Sequence, residues 1–457
     1  MDIQARFEQQ QEHFFEGHTL DLKLRKQTLT KLMDVLKSNE DKLYEAIKKD
    51  LNKSSFETYM TEMAMIYHDI KVFRKKLSSW SRPKYVLTNI ANMPGSSKIV
   101  PEPLGTSLII GAWNYPYQLV LVPLVAAIGA GNTAIIKPSE LAPHTSALMA
   151  MLINNNFDPK HIYVQEGGIE ESTELLKLPF DKFFYTGSSH VGKIVMRAAS
   201  EHLSSVTLEL GGKSPCFVMP DANLKLSAQR LVWGKYLNSG QTCIAPDYVL
   251  VHESIKDKFV GLVVDQIKSI YGKTPETSEA LINMVNKRHF DRVKELIDPG
   301  KVVHGGQSIE EQLFIEPTVM DNVTYDDPVM QEEIFGPIMP ILTFSDFNTA
   351  LDEVRRRPKP LAAYLFTRNG KVKKQFVSRL SFGSAAVNDT LVQITNNRLP
   401  FGGIGNSGVG GGYHGLHGFK LFSHYKPVLT RDTLSELPLK YPPFTSFKRF
   451  VMGKFLE

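Results

Sequence analysis

At 457 residues and 51.4 kDa the chain is about three times the length of a common domain, so two or three packed units are expected and a lone small binding module is excluded. Hydrophobic residues at 42%, aromatics at 10% and charged residues at 22% lie in the globular range, away from disordered or collagen-like chains. The 53 basic and 48 acidic residues leave a net charge of +5, too small an excess for a nucleic-acid footprint unless it gathers on one face.

Residues 3–80 carry dense Lys, Glu and Gln with apolar residues at helical spacing (Leu22, Leu29, Leu32, Val35 and Leu36, then Leu43, Tyr44 and Ile47), which predicts a helical opening. Its polar start lacks the apolar core of a signal peptide, and no run reaches the roughly 20 apolar residues of a membrane span, so a cytoplasmic place is expected. From Trp80 to Pro103 four prolines and short β-branched runs interrupt the pattern. That stretch suits an extended excursion that leaves the first domain and returns.

Strand-like runs and helix-like stretches then take turns at 107–111, 119–128, 133–136, 146–153, 162–165 and 182–185. Such alternation predicts βαβ units and a mostly parallel sheet. A second series follows Gly211, so the fold class is α/β with two α/β domains and no internal repeat.

Two cysteines, Cys216 and Cys243, cannot build a disulfide framework or a cysteine-rich zinc site, and no metal is expected. Cys216 lies in the apolar run SPCFVM, the setting of an inert core thiol. Cys243 closes the polar loop Asn238-Ser239-Gly240-Gln241-Thr242, which can present a nucleophilic thiolate to a substrate. Glu209 ends the strand-like run 206–210 before Gly211-Gly212, where α/β proteins place ligands, although a surface charge reads the same way.

Phe183-Phe184-Tyr185-Thr186-Gly187 followed by Ser188-Ser189-His190-Val191-Gly192 reads as strand, tight turn and helix, a place for phosphate at a helix N-terminus. Ser189 replaces the middle glycine of G-x-G-x-x-G. Glu209 also falls about 20 residues beyond Gly187, at the spacing of a ribose-binding acid, so two roles compete for it. Asn114 offers an amide donor for a developing oxyanion, while Lys137 and Glu140 can hold ribose or phosphate; each is also a plain turn former.

In their joint order, Trp113-Asn114-Tyr115-Pro116, Lys137-Pro138-Ser139-Glu140, Phe184-Tyr185-Thr186-Gly187-Ser188, residues 208–215 (LELGGKSP), Gly240-Gln241-Thr242-Cys243, residues 332–337 (EEIFGP) and Pro400-Phe401-Gly402-Gly403 resemble the aldehyde dehydrogenase superfamily, specifically its class 3 branch. The resemblance runs from about residue 105 to 426 and implies a Rossmann-like NAD(P)-binding domain (1–84 and 102–210), a catalytic domain (211–400), an oligomerisation element (85–101 and 420–440) and a C-terminal tail (441–457). It implies Cys243 as nucleophile, Glu209 as general base and Asn114 with the Cys243 N–H as oxyanion hole. Lys137 and Glu140 then take the adenosine ribose, Thr186, Gly187, Ser188 and Gly192 the pyrophosphate turn, Glu333 the nicotinamide ribose and Phe335 the ring packing nearby. Tyr115, Leu119, Trp233, Thr242 and His414 are placed in the substrate pocket, although residues 409–414 carry one glycine more than that branch's pattern, which bears on His414.

The implied function is NAD-dependent oxidation of aldehydes to acids, with NADP as a second cofactor, by a homodimer acting on medium- to long-chain, aromatic or isoprenoid aldehydes. A coenzyme A-acylating enzyme is the nearer rival, opposed by Glu209 as a water-activating base; a non-catalytic, membrane-associated relative is opposed by the joint presence of Cys243, Glu209 and Asn114. The tail has six basic and three acidic residues from Lys426 onward, and after Pro442-Pro443 it sets Phe447, Phe450, Val451 and Phe455 near one helical face. A weak contact with the inner membrane face, and help in admitting apolar aldehydes, are expected of it.

Overall fold

The computed structural model describes residues 2–434, 436 and 438–456, with the side chains of Phe455 and Leu456 outside the described set. The opening is helical, as its periodicity predicts, in the helices Ile3–Phe15, Leu22–Lys37, Glu40–Leu51 and Ala64–Trp80. Asp2 and Asp21 cap the first two by accepting from Ala5 and Lys23 backbone N–H groups. One interruption was not predicted: Ser55–Thr58 runs into a π turn at Tyr59–Met63. Extra-residue turns of this kind cluster at functional sites.

Helices Leu22–Lys37 and Ala64–Trp80 bury their apolar stripes (Leu29, Leu32 and Leu36; Ile66, Ile70 and Phe73) in one core with the helix Gln118–Ala130. All thirteen residues of that third helix are buried, and it stops at Gly131, whose φ of 99° suits a residue without Cβ. It covers a six-stranded sheet ordered Gly408–Val409, Ser205–Glu209, Lys182–Thr186, Thr106–Ile110, Thr133–Lys137, Ile162–Val164, in which only the first strand is antiparallel to its neighbour. Strands buried on both faces read as near-continuous apolar runs, which is why TSLII, TAIIK and KFFYT stand out in the sequence. The chain reverses its direction of winding between Thr106–Ile110 and Lys182–Thr186, so a crevice opens at their carboxyl ends.

A seven-stranded sheet forms the second unit, ordered Val302–His304, Thr318–Met320, Ile338–Phe344, Tyr248–His252, Pro215–Val218, Ala362–Phe366, Ser384–Val387, and parallel except at its first strand. Cys216 sits fully buried in its middle, opposite Tyr364 and Val249. The predicted excursion leaves the first domain as Lys84–Val86 and Gly95–Pro103, which join Ser423–Arg431 in a three-stranded antiparallel sheet. The tail forms a helix over Ser446–Leu456 that leaves Phe447 and Phe450 71% and 62% exposed and touches the short turn Ile90–Asn92. No helix among the described residues is long and apolar enough to cross a membrane.

Candidate active site

The loop that presents Cys243 leaves the helix Leu224–Tyr236 through two residues in left-handed backbone, Asn238 (φ 55°) and Ser239 (φ 49°). Such backbone persists only where its surroundings over-determine it. Here Ser239 Oγ donates to the Ile282 carbonyl at 2.6 Å and accepts from the Ile282 N–H at 3.0 Å. Gln241 donates to the Asn283 carbonyl at 3.1 Å and accepts from Val285 N–H at 3.2 Å.

A second loop, after the strand Thr106–Ile110, is stitched to the first just ahead of the cysteine. Asn114 Nδ2 donates to the Gln241 carbonyl at 3.0 Å, and the Tyr115 and Thr242 hydroxyls lie 2.6 Å apart. An amide nitrogen carries two hydrogens, so a second Asn114 donor remains for an oxygen held beside Cys243.

Two carboxyls share the cleft with the half-buried thiol. Glu209 ends its strand between Thr186 and Gly408, only 2% exposed, and neither of its carboxylate oxygens makes a well-formed hydrogen bond among the described residues. Burial raises it well above the usual carboxylate range, against the weaker pull of the Gly403 backbone and the Lys182 charge. Burial, followed by the nearby Asp247, pushes Glu333 up to about 8. The Cys243 thiol is raised by burial and then by Glu333 and Glu209, while its own N–H and that of Ile244 pull the other way. Burial thus disfavours the charged form of all three groups, and a carboxyl whose pKa is raised toward the working pH is well placed to trade protons.

Cys243 stands where two cavities meet. One, of about 660 Å³, is a cleft walled by Thr186, Gly187, Ser188, Glu209, Glu333 and Phe335. The other, of about 270 Å³, is a tunnel walled mainly by Tyr115, Leu119, Trp233, Leu237, Ile394 and Phe401, with Thr242 beside the cysteine. Cys243 and Leu119 are common to both.

The structure thus gathers most of the residues singled out in the sequence. Gly192 stands behind the cleft, where a Cβ would lie 2.8 Å from Leu210 Cδ2, so its smallness serves helix-on-sheet packing. Lys137 and Glu140 pair at 2.7 Å past the end of the strand Thr133–Lys137, outside the cleft wall. Burial raises Glu140, but the Lys137 hydrogen bond and charge outweigh it and hold the carboxyl low. His414 is the exception: it is not in the tunnel wall but lies beyond Phe401, stacked on Tyr413 at 4.4 Å with Nδ1 3.7 Å from Asp69. Gly410 and Gly411 (φ 94° and 91°) turn the glycine-rich loop, and a Cβ at Gly410 would strike the Val206 carbonyl, so the chain hugs the sheet and carries His414 behind the wall.

Sequence reading missed the far side of the tunnel, contributed by Met60, Thr61, Met65, Gln118, Ile394 and Thr395. It also missed Arg292, whose guanidinium donates to the Glu333 and Ile334 carbonyls at 3.2 and 2.6 Å and shapes that loop. Among the described residues no His, Cys, Asp and Glu cluster is arranged to hold a metal ion.

The cleft fits a dinucleotide. Gly187 has φ 156° and no room for a Cβ beside the Tyr185 hydroxyl, and it delivers the chain directly into the helix Ser189–Glu201. The first N–H groups of that helix suit a pyrophosphate, and the cleft volume is that of a cofactor site. A switch-point crevice of this kind, opening onto an apolar tunnel, defines a dinucleotide-linked oxidoreductase.

The aldehyde dehydrogenase family profile matches residues 1–428. The chain is 44% identical to the 4,4'-diaponeurosporen-aldehyde dehydrogenase of Staphylococcus aureus, covering 99% of both chains. It is 43% identical to a rat enzyme named aldehyde dehydrogenase, dimeric NADP-preferring, over 94% of this chain and 96% of the relative. A solved substrate-bound state of AldH from Staphylococcus aureus superposes with a TM-score of 0.97 at 44% identity, covering 100% of each chain. The chain belongs to the aldehyde dehydrogenase family, in its family 3 branch, and oxidises aldehydes to carboxylic acids with NAD or NADP.

Proposed function

We propose that Cys243 is the nucleophile of this oxidation, that Asn114 and the Cys243 N–H form its oxyanion hole, and that Glu209 is the base of hydrolysis. The observation that carries the reading is the position of Cys243 at the one junction of cleft and tunnel. An aldehyde in the tunnel meets the sulfur at its carbonyl carbon; as the S–C bond forms, the thiol proton passes to a cleft carboxylate and the carbonyl oxygen takes the charge. Donors at such a position are each worth about 2.7–4 kcal/mol in the transition state. NAD(P)+ held in the cleft would supply the oxidant for loss of hydride from this adduct, so that a thioester remains on Cys243. Once the thiol proton has left through the cleft, ionised Glu209 takes a proton from water as the hydroxyl attacks the thioester; the C–S bond breaks, the thiolate regains its proton from Glu209, and the acid departs with the thiol restored.

Around that centre, Thr186, Gly187, Ser188 and Gly192 form the pyrophosphate turn, Lys137 and Glu140 take the adenosine ribose, Glu333 takes the nicotinamide ribose and Phe335 packs by the ring. Tyr115, Leu119, Trp233 and Thr242 guide the aldehyde. The mainly apolar tunnel favours medium- to long-chain, aromatic or isoprenoid aldehydes, in keeping with the name of the staphylococcal relative. The domain limits are 1–84 with 102–210, 211–400, and 85–101 with 420–440, the last serving a homodimer; the exposed Tyr85, Leu87 and Ile90 and the name of the rat relative support that assembly. The protein works in the cytoplasm, with the exposed tail residues Phe444, Phe447 and Phe450 giving weak contact with the inner membrane face.

One assay tests the reaction. With aldehyde and NAD(P)+ and no coenzyme A, acid and NAD(P)H should form one to one. A requirement for coenzyme A with acyl-coenzyme A as product would overturn it.

A further inference from the structure

Lys53 and Glu62 form an ion pair at 3.0 Å with both side chains fully buried. Burying two charges is expensive, and apolar residues of like volume often serve stability as well or better. Their hydrogen bonds show what else the pair does. Lys53 Nζ also donates to the backbone carbonyl of Asn114 at 3.1 Å and lies 4.3 Å from the Tyr115 ring centroid. Glu62 Oε2 accepts from the N–H groups of Tyr117 and Gln118 at 2.8 and 3.3 Å, at the start of a helix that has no side-chain cap of its own.

The same carbonyl of Asn114 accepts a second bond, from Asn238 Nδ2 at 3.1 Å, and the Asn238 N–H is held by Glu57 Oε1 at 3.0 Å. The Asn114 peptide is therefore clamped between Lys53 on one side and the cysteine loop on the other. Glu57 precedes the π turn Tyr59–Met63 and Glu62 lies within it, and the same stretch sends Met60, Thr61 and Met65 to the tunnel wall.

We propose that the Lys53–Glu62 pair is a positioning device for the oxyanion hole: it fixes the Asn114–Gln118 backbone so that the Asn114 amide is aimed at the oxygen of an aldehyde attached to Cys243. The inference rests on the roles of Cys243 and Asn114 proposed above. It assigns no proton transfer to either member of the pair.

The decisive comparison is between an apolar exchange and the native pair. Lys53→Met with Glu62→Leu keeps the volume and removes both charges but leaves the Tyr117 and Gln118 N–H groups without Glu62, so a purely structural pair would show its loss in stability alone, with the burst unchanged. The expected result is a folded enzyme with a somewhat lower melting temperature whose NAD(P)+ binding matches the parent, while the rate of the first-turnover burst falls about 30- to 100-fold. KM for the aldehyde should move less than about threefold, because the defect lies in the transition state. Lys53→Arg, which keeps a buried donor, should recover part of the burst rate. A folded double variant with a burst within about threefold of the parent would overturn the proposal. Should the double variant fail to fold, Glu62→Gln decides the matter: a burst slowed about tenfold in a folded protein supports it and an unchanged burst overturns it. Cys243→Ala run alongside separates the two readings, since retained activity there would sink the nucleophile assignment and not the clamp alone.

Discussion

The two cavities that meet at Cys243 are built in opposite ways. The cofactor cleft is made by loops at the ends of neighbouring parallel strands, so its walls come in short contiguous pieces such as Thr186-Gly187-Ser188 and Glu209-Leu210-Gly211. The tunnel is assembled from helix faces and turns far apart in the chain, with Met65, Leu119, Trp233, Ile394 and Phe401 among its walls. Backbone geometry and charge define the first, side-chain volume the second. Changes on the cleft side should therefore act on cofactor choice and proton transfer, and changes on the tunnel side on the affinity and reach of the aldehyde.

The largest expected effect falls at the junction. Cys243→Ala should lower kcat/KM by about 10⁴-fold or more while NAD(P)+ binding, followed by fluorescence titration, persists. Cys216, buried between two strands with its thiol raised by burial alone, is the matched control. Cys216→Ala should leave turnover within about twofold.

A charge in the tunnel comes next. Ile394→Asp should raise KM for apolar aldehydes about 10- to 100-fold without altering the Kd for NAD(P)+, because an apolar chain would have to lie against an unpaired carboxylate. A matching loss of cofactor affinity would mean that the two cavities are not separable.

On the cleft side, Glu140→Gln should shift the ratio of kcat/KM for NADP over NAD upward by about tenfold, since it removes a carboxylate from the proposed ribose site. An unchanged ratio would leave Glu140 only its contact with Lys137.

The smallest effect is on stability. Glu333 has its folded pKa raised from 4.5 to about 8, so the folded state binds more protons than the unfolded state between those values. Its stabilising contribution is complete below 4.5 and is lost as pH climbs through about 8. Glu333→Gln should therefore gain about one degree in melting temperature over the parent at pH 9 relative to pH 5, about what one kcal/mol yields in a chain of this size. A gap that does not grow with pH would contradict the sign.

The same difference in construction decided what the sequence could reveal. Strand-end positions announce themselves because a β-branched or aromatic run followed by Gly, Asn or Glu is local information, and the α/β class and the rim bearing Asn114, Lys137, Gly187 and Glu209 follow from it. The tunnel has no such local signature, since Met60 and Met65 look like any residues on an amphipathic helix. Lys53, Glu57 and Glu62 read as a solvated helix face, and only the π turn and the helix start at Gln118 reveal their inward direction. The place of His414 behind the tunnel wall is hidden for a related reason: it depends on the path of the glycine loop against the sheet, which residue spacing does not encode.

The central claim is that Cys243 carries the acyl group and Glu209 releases it. The most direct measurement mixes Glu209→Gln with aldehyde and NAD(P)+ and follows the first turnover by rapid kinetics and peptide mass spectrometry. One equivalent of NAD(P)H should form rapidly, followed by a stalled steady state and an acyl mass on the peptide bearing Cys243. Burst and steady state reduced alike, or an acyl group found elsewhere, would contradict it.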